Sequence, residues 1–241
     1  MKLLKLLNLL SKKKSEDELV SIIMPARNAD KYISQAIDSV IKQSYQHWEL
    51  NIVNDASSDK TKEIIDEYAQ KDSRIKVFNN QTQQGIPKTR NIALSNSKGN
   101  VIGHLDADDI LKPKAIEKTI AQFDEKTALV YSGYIFLDKY GKQTGKFMAQ
   151  KFDLKKIKEL GWQHFGMYKK SAAISVGGFN EKLITCSDGD LFMKIAQKYE
   201  CKRVRKYLYY YRIHDTNIGY KRPFCSVCDK QKVCEYYKIQ S

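Results

Sequence analysis

From Leu19 the chain alternates short β-branched runs with amphipathic stretches of helical period. Val20 to Met24 is apolar and ends at Pro25, which reads as a buried strand. After Asp30, apolar residues recur at Ile33, Ala36, Ile37, Val40 and Ile41, the spacing of one helical face. Leu50 to Val53 predicts a second strand. The polar segment Asn54-Asp55-Ala56-Ser57-Ser58-Asp59 follows, with Ser57 and Asp59 as caps for a helix over Lys60 to Gln70 that carries Ile64, Ile65 and Tyr68 on one side. Ile75 to Phe78 predicts a third strand, Gly85 a loop, Lys88 to Ser95 a helix, and Val101 to Leu105 a fourth strand. Strands separated by helices need crossovers, so the pattern predicts an α/β fold in which helices wrap a parallel sheet. Ligands of such sheets bind beyond the carboxyl ends of the strands. Three polar loops fall there: Pro25 to Asp30, Asn54 to Asp59 and Asp106 to Asp109.

The fourth strand ends in Leu105-Asp106-Ala107-Asp108-Asp109. A buried strand does not normally finish in a cluster of like charges unless a cation binds there. If the backbone stays extended, Asp106 and Asp108 share one face. A few carboxylates completed by phosphate oxygens make a magnesium- or manganese-type site, which suggests a nucleoside diphosphate held through its metal. A solvated acidic turn is the competing reading.

Composition narrows the partners. The 241 residues are 42% hydrophobic, enough for one large or two small domains with an adequate core. No run approaches the roughly 18 apolar residues that span a bilayer. The net charge of +14 and pI of about 9.4 favour phosphate-bearing ligands, anionic membranes or nucleic acid. Residues 1–18 begin MKLLKLLNLLSKKK, leucines on a broad arc with lysines beside and after them, as in an interfacial membrane segment. Lys5 and Asn8 break its apolar part and no small-residue cleavage site follows, unlike a signal peptide. A partner-docking helix or a frayed tail are the alternatives. Five cysteines without a secretory signal argue for a reducing compartment.

Four ordered motifs, Val20-Ser-Ile-Ile-Met-Pro-Ala-Arg-Asn28, Val53-Asn-Asp-Ala-Ser-Ser-Asp59, Gly85-Ile-Pro-Lys-Thr-Arg-Asn91 and Leu105-Asp-Ala-Asp-Asp109, resemble family 2 glycosyltransferases of the GT-A fold. The likeness continues through Gly177-Gly178-Phe179-Asn180-Glu181, Cys186-Ser-Asp-Gly-Asp-Leu191 and Tyr211-Arg-Ile-His214. Within the family the chain looks most like the transferase domains of bacterial chondroitin and hyaluronan-type synthases, which share a stretch similar to His164 to Met167. The resemblance implies a single catalytic domain over 19–219, a Rossmann-like, mostly parallel sheet flanked by helices, with a nucleotide-binding half (19–110) and an acceptor half (111–219).

The implied chemistry is metal-dependent, inverting transfer of a sugar from a UDP-sugar to a hydroxyl of a glycan or lipid-linked acceptor, in synthesis of cell-surface polysaccharide, lipopolysaccharide or glycoconjugate. Pro25, Arg27 and Asn28 would line the nucleotide. Asp55 would accept the uracil N–H, and Arg90 would lie against the nucleotide. Asp106 and Ala107 would contact the ribose side, Asp108 would ligate Mn2+ or Mg2+, and Asp109 would orient them. His214 would close over the nucleotide and add a nitrogen ligand. Asp188 aligns with the catalytic base, with Asp190 as the fallback. Ser187 stands where the family often has glutamate, and Asn54 and Ala56 where many relatives carry aspartate and glycine. Gly177-Gly178-Phe179 is expected to form a tight bend, and Trp162 and His164 either bind sugar or pack in the core.

Residues 220–241 form a tail in which Cys225, Cys228 and Cys234 could hold structural zinc with Cys201 or a histidine, unliganded thiols being the other reading. The expected location is the cytoplasm, peripheral on the inner face of the membrane, with no nucleic acid partner. Two other classes remain open at this stage: a catalytically silent sugar-nucleotide or glycan-binding module, and a basic nucleic-acid-binding protein.

Overall fold

Strand β1 (Val20–Ala26) is buried along its whole length, and its two sequence-distant neighbours explain why it reads as a continuous apolar run. On one side it pairs in parallel with β2 (Trp48–Asn54), from Val20↔Trp48 to Ala26↔Asn54, and on the other with β4 (Val101–His104). Strand β3 (Ile75–Asn79) adds to β2, again in parallel. The crossovers are α1 (Ile33–Ile41), α2 (Thr61–Lys71) and α3 (Ile86–Asn96), so all seven elements of the sequence pattern are present. The computed structural model describes residues 18–152, 165–184, 186–215 and 217. The leucine- and lysine-rich residues 1–17, Trp162, His164, Cys225, Cys228 and Cys234 lie outside them.

Two boundaries differ from the sequence reading, each for a local reason. Pro25 does not end β1, because β1–β4 pairing stops at Ile23↔His104 and the missing proline N–H interrupts no ladder there. Ser57 does not cap α2; its Oγ accepts the Asn28 N–H at 3.1 Å, while Asp59 Oδ1 alone accepts the Thr61 N–H at 3.0 Å.

The second half adds antiparallel pairing that the hydrophobic pattern did not reveal. It comprises β5 (Ile110–Leu111), α4 (Ala115–Ile120), β6 (Thr127–Leu137), β7 (Gln143–Phe147), β8 (Gly166–Lys169), α5 (Lys170–Ser175), α6 (Ser187–Lys198) and β9 (Glu200–Arg212). Strand β8 is antiparallel to both β4 and β6, and β9 returns parallel to β6. The described residues thus form one mixed sheet in the order β3-β2-β1-β4-β8-β6-β9-β5, with β7 on β6. Cores cover both faces: Val20, Ile22 and Met24 pack with Ile33, Ile37 and Val40 of α1, whereas Ile23 and Ile102 pack with Ala93 and Leu94 of α3 and Phe192 of α6. Among the described residues no helix is long and apolar enough to cross a membrane.

Because β2 and β3 extend from one side of β1 and β4 from the other, strand order reverses between β1 and β4. A crevice opens at the carboxyl ends on either side of such a switch point. Behind it, α5 ends in a Schellman motif: the Gly177 N–H reaches Ile174 O at 3.0 Å and the Gly178 N–H reaches Ala173 O at 2.9 Å. Gly178 has φ +67°, and a Cβ there would stand 2.9 Å from Asn91 Oδ1. Asn91 in turn accepts the Phe179 N–H and donates to Phe179 O, so the glycine pair docks the bend onto α3. Gly178→Ala is expected to cost about 1–3 kcal/mol, read as a lower midpoint in urea unfolding.

Candidate active site

The first two loops are woven together before any ligand is considered. Arg27 donates from Nη1 to the carbonyls of Asp55 and Ala56 at 2.6 and 2.8 Å, and Asn28 Oδ1 accepts the Ser58 N–H at 2.9 Å. Arg27 and Asn28 are exposed, whereas Pro25 is buried within β1. The carboxylate of Asp55 accepts from Asn80 Nδ2 at 2.8 Å, Gln84 N–H at 2.7 Å and Gly85 N–H at 2.9 Å. It therefore joins the end of β2 to the start of α3. Gly85 has φ +88°, a conformation that favours glycine at this turn. A carboxylate has about four acceptor positions, so these three bonds leave room for one ligand donor.

Strain gathers at the same place. Among the described residues, the non-glycine residues with left-handed backbone are Asn28, Ala56 and Cys186, one in each of three loops at this end of the sheet. Ala56 has φ +53°, which accounts for glycine being the alternative at that position.

Helix α3 delivers Arg90 into the protein, 3% exposed. Its Nη2 lies 2.6 Å from Asp106 Oδ1, while Nη1 donates to Ser187 Oγ at 3.0 Å and lies 4.0 Å from Asp188 Oδ1. Burial works to discharge the guanidinium, but the charges of Asp106 and Asp188 more than reverse this and hold it cationic. Asp188 sits in the first turn of α6, a position that favours negative side chains. Asp190, the fallback base, is 1% exposed and paired with Lys194 at 2.7 Å. That ion pair engages the carboxylate of Asp190 inside the protein.

The acidic loop is fastened from the far end of the chain. Asp109 is buried; Oδ2 accepts the Tyr209 hydroxyl at 2.7 Å and Oδ1 the Arg212 N–H at 2.7 Å. Burial first, then the charges of Asp108 and Asp106, push its carboxyl well above the usual range. Tyr209 is raised too, by burial and then by Asp109 and Asp106, so it stays a donor. Asp108 Oδ2 meets His214 Nε2 at 2.9 Å and Asn217 Nδ2 at 3.2 Å. Ala107 packs into the core between them.

Among the described residues no three His, Cys, Asp or Glu side chains form a closed metal cage. A magnesium-type ion does not need one, since one or two protein ligands plus phosphate oxygens suffice. Adjacent ligands of an octahedral ion with bonds of about 2.1 Å stand about 3 Å apart, and Asp108 Oδ2 and His214 Nε2 have that spacing at 2.9 Å. The carboxylate oxygen suits Mn2+ or Mg2+, whereas an imidazole nitrogen is a softer ligand that Mn2+ accepts more readily than Mg2+. Cys201, the described member of the suggested zinc set, is a partly buried thiol pushed up to about 12 by desolvation.

The family model for glycosyl transferase family 2 matches residues 21–225. The chain belongs to glycosyltransferase family 2. A glycosyltransferase of Methanocaldococcus jannaschii is 32% identical over 92% of this chain and 79% of its own length. The hyaluronan synthase of Pasteurella multocida is 32% identical over 85% of this chain, which spans only 21% of that synthase. Among solved structures, Staphylococcus aureus TarS 1-349 in complex with UDP-GlcNAc superposes with a TM-score of 0.71 at 20% identity, over 91% of this chain and 72% of that one. That likeness shows the GT-A fold.

In this glycosyltransferase Arg90 joins Asp106 to Asp188, and His214 meets Asp108, while Asp55 is tied instead to Asn80, Gln84 and Gly85. Several residues of the site were not singled out from the sequence. Arg212, 1% exposed, donates from Nε to Asp108 O at 3.0 Å and from Nη2 to Gln35 Oε1 at 2.7 Å, and lies 4.7 Å over the Tyr32 ring. Tyr32 also meets the His214 ring at 4.8 Å. Only the position of Arg212 two residues before His214 offered a signal, and basic residues are common in that strand.

Proposed function

We propose that this glycosyltransferase moves a sugar from a UDP-sugar to a hydroxyl of a glycan or lipid-linked acceptor by single displacement with inversion, in cell-surface glycan synthesis. The observation that carries the reading is the Arg90 bridge, which puts the carboxylates of Asp106 and Asp188 on one guanidinium. In this reading residues 19–110 hold the nucleotide and 111–219 present the acceptor. Asp55 offers its free acceptor position to the uracil N–H, and Asp106 takes the ribose hydroxyls. Asp108 and His214 would hold Mn2+ or Mg2+, which when bound neutralises charge on the diphosphate. Asp188 accepts the proton of the acceptor hydroxyl as its oxygen bonds to the anomeric carbon. The bond from that carbon to the diphosphate breaks on the opposite side, and UDP leaves.

The lysines of residues 1–14 would add attraction to an anionic cytoplasmic membrane face, about 1 kcal/mol each.

The test is UDP release from UDP-glucose, UDP-glucuronic acid, UDP-GlcNAc and UDP-GalNAc with Mn2+ or Mg2+. Release is expected from at least one donor, falling to background when EDTA removes the metal. Absence of release with every donor, despite measurable UDP binding, would indicate a silent binding module. Release that EDTA leaves unchanged would remove the metal from the reading.

A further inference from the structure

Arg90 is an expensive residue to place where it is. A fully buried guanidinium needs matching charge and hydrogen bonds to offset desolvation of several kcal/mol. Its partners come from two distant parts of the chain: Asp106 at the end of β4, and Ser187 with Asp188 at the start of α6. Among the described residues its Nε meets no hydrogen-bond acceptor, so the two Nη groups set the orientation of the fork. The Phe179 ring, 5.6 Å away, backs the plane.

Leu191 and Phe192 anchor α6 in the core, and Arg90 adds contacts to its first turn at Ser187 and Asp188. Glu181, Lys182 and Ile184 are exposed, and Cys186 enters the helix with φ +57° and no side-chain cap bond. Ser187 is buried, and its hydroxyl receives the Arg90 proton that fixes this first turn.

We propose that Arg90 is a positioning residue: it sets the place of the Asp188 carboxylate relative to the donor-side carboxylate Asp106, and so acts on the rate through Asp188 rather than chiefly as a nucleotide contact. The proposal rests on Asp188 being the base. A guanidinium can serve both carboxylates at once because its donors form a rigid planar fork. Lysine keeps the charge but offers a single point, and can satisfy only one side. Misplacement of a catalytic group by about 1 Å can cost about 100-fold in rate.

The experiment is a double-mutant cycle on the full chain with Mn2+ and the UDP-sugar of the four above that releases UDP fastest, alongside calorimetric Kd values for UDP. Arg90→Lys is expected to lower kcat by about 100-fold while the UDP Kd changes less than about threefold. In the Asp188→Asn background the same substitution should cost less than about threefold, because the group it positions is already gone. Equal losses in both backgrounds, or a loss confined to the UDP Kd, overturn the proposal and make Arg90 a donor contact. Asp188→Asn with full activity instead overturns the assignment of the base, a separate failure. If circular dichroism shows Arg90→Lys unfolded, Ser187→Ala, which removes the hydroxyl that fixes Nη1, replaces it in the cycle. A kcat loss of about fivefold that disappears in Asp188→Asn supports the proposal, and an additive loss overturns it.

Discussion

Asp188→Asn is expected to lower kcat for sugar transfer by about 100- to 10,000-fold, the usual contribution of a positioned general base, with the UDP Kd changed less than about threefold. Asparagine keeps the shape and polarity of the side chain in the first turn of α6, so the helix start should survive. The small loss of a favourable negative charge at a helix N-terminus is about 0.3–1 kcal/mol. Initial-rate kinetics and UDP calorimetry on one preparation separate the two quantities. The matching change at Asp190 should behave in the opposite way. Its carboxylate is tied to Lys194 at 2.7 Å inside the protein, so Asp190→Asn should lower the melting temperature and touch kcat only through it. Full activity in Asp188→Asn would place the base elsewhere.

Asp108→Asn is expected to abolish the difference in UDP affinity between Mn2+ and EDTA conditions, and to remove detectable transfer. Asp108 is the carboxylate at which His214 Nε2 and Asn217 Nδ2 converge, so it is the one around which a metal ligand set can form. Without metal the fold should tolerate the change. Asp109 is already pushed upward by burial and by the charges of Asp108 and Asp106, so neutralising Asp108 relieves repulsion within the cluster. The metal-free variant should therefore melt no lower than the metal-free parent by more than a few degrees. Retained manganese-linked UDP binding in this variant would sink the assignment, and a collapse in stability would recast Asp108 as a structural residue.

The two halves of the chain were unequally legible. In the first, a strand buried by parallel neighbours has to be apolar throughout, and the crossover helices have to show one apolar face, so Val20–Ala26 and Ile33–Ile41 announce themselves. The same geometry sends each strand's carboxyl end toward one crevice, which is why Asp55 and Asp106 to Asp109 could be grouped before their distances were known. In the second half β6 pairs with β9 across some seventy residues, and β8 lies antiparallel between β4 and β6. Local periodicity does not encode which strand a neighbour will be. The resemblance to family 2 transferases, not the pattern, singled out Asp188 and His214.

The sequence by itself determined the order of strands and helices in the nucleotide half, the three polar loops at their ends and the run of carboxylates after the fourth strand. Those follow from local periodicity and from the cost of crowding like charge. Only the tertiary structure decided what restrains each of those groups. Arg90 reaches Ser187 and Asp188 ninety-seven and ninety-eight positions later, and Tyr209 and Arg212 hold the acidic loop from a hundred or more positions away. The physical reason is that a buried charge must be matched wherever a partner can be brought to it, and where the chain brings that partner is settled by the sheet as a whole.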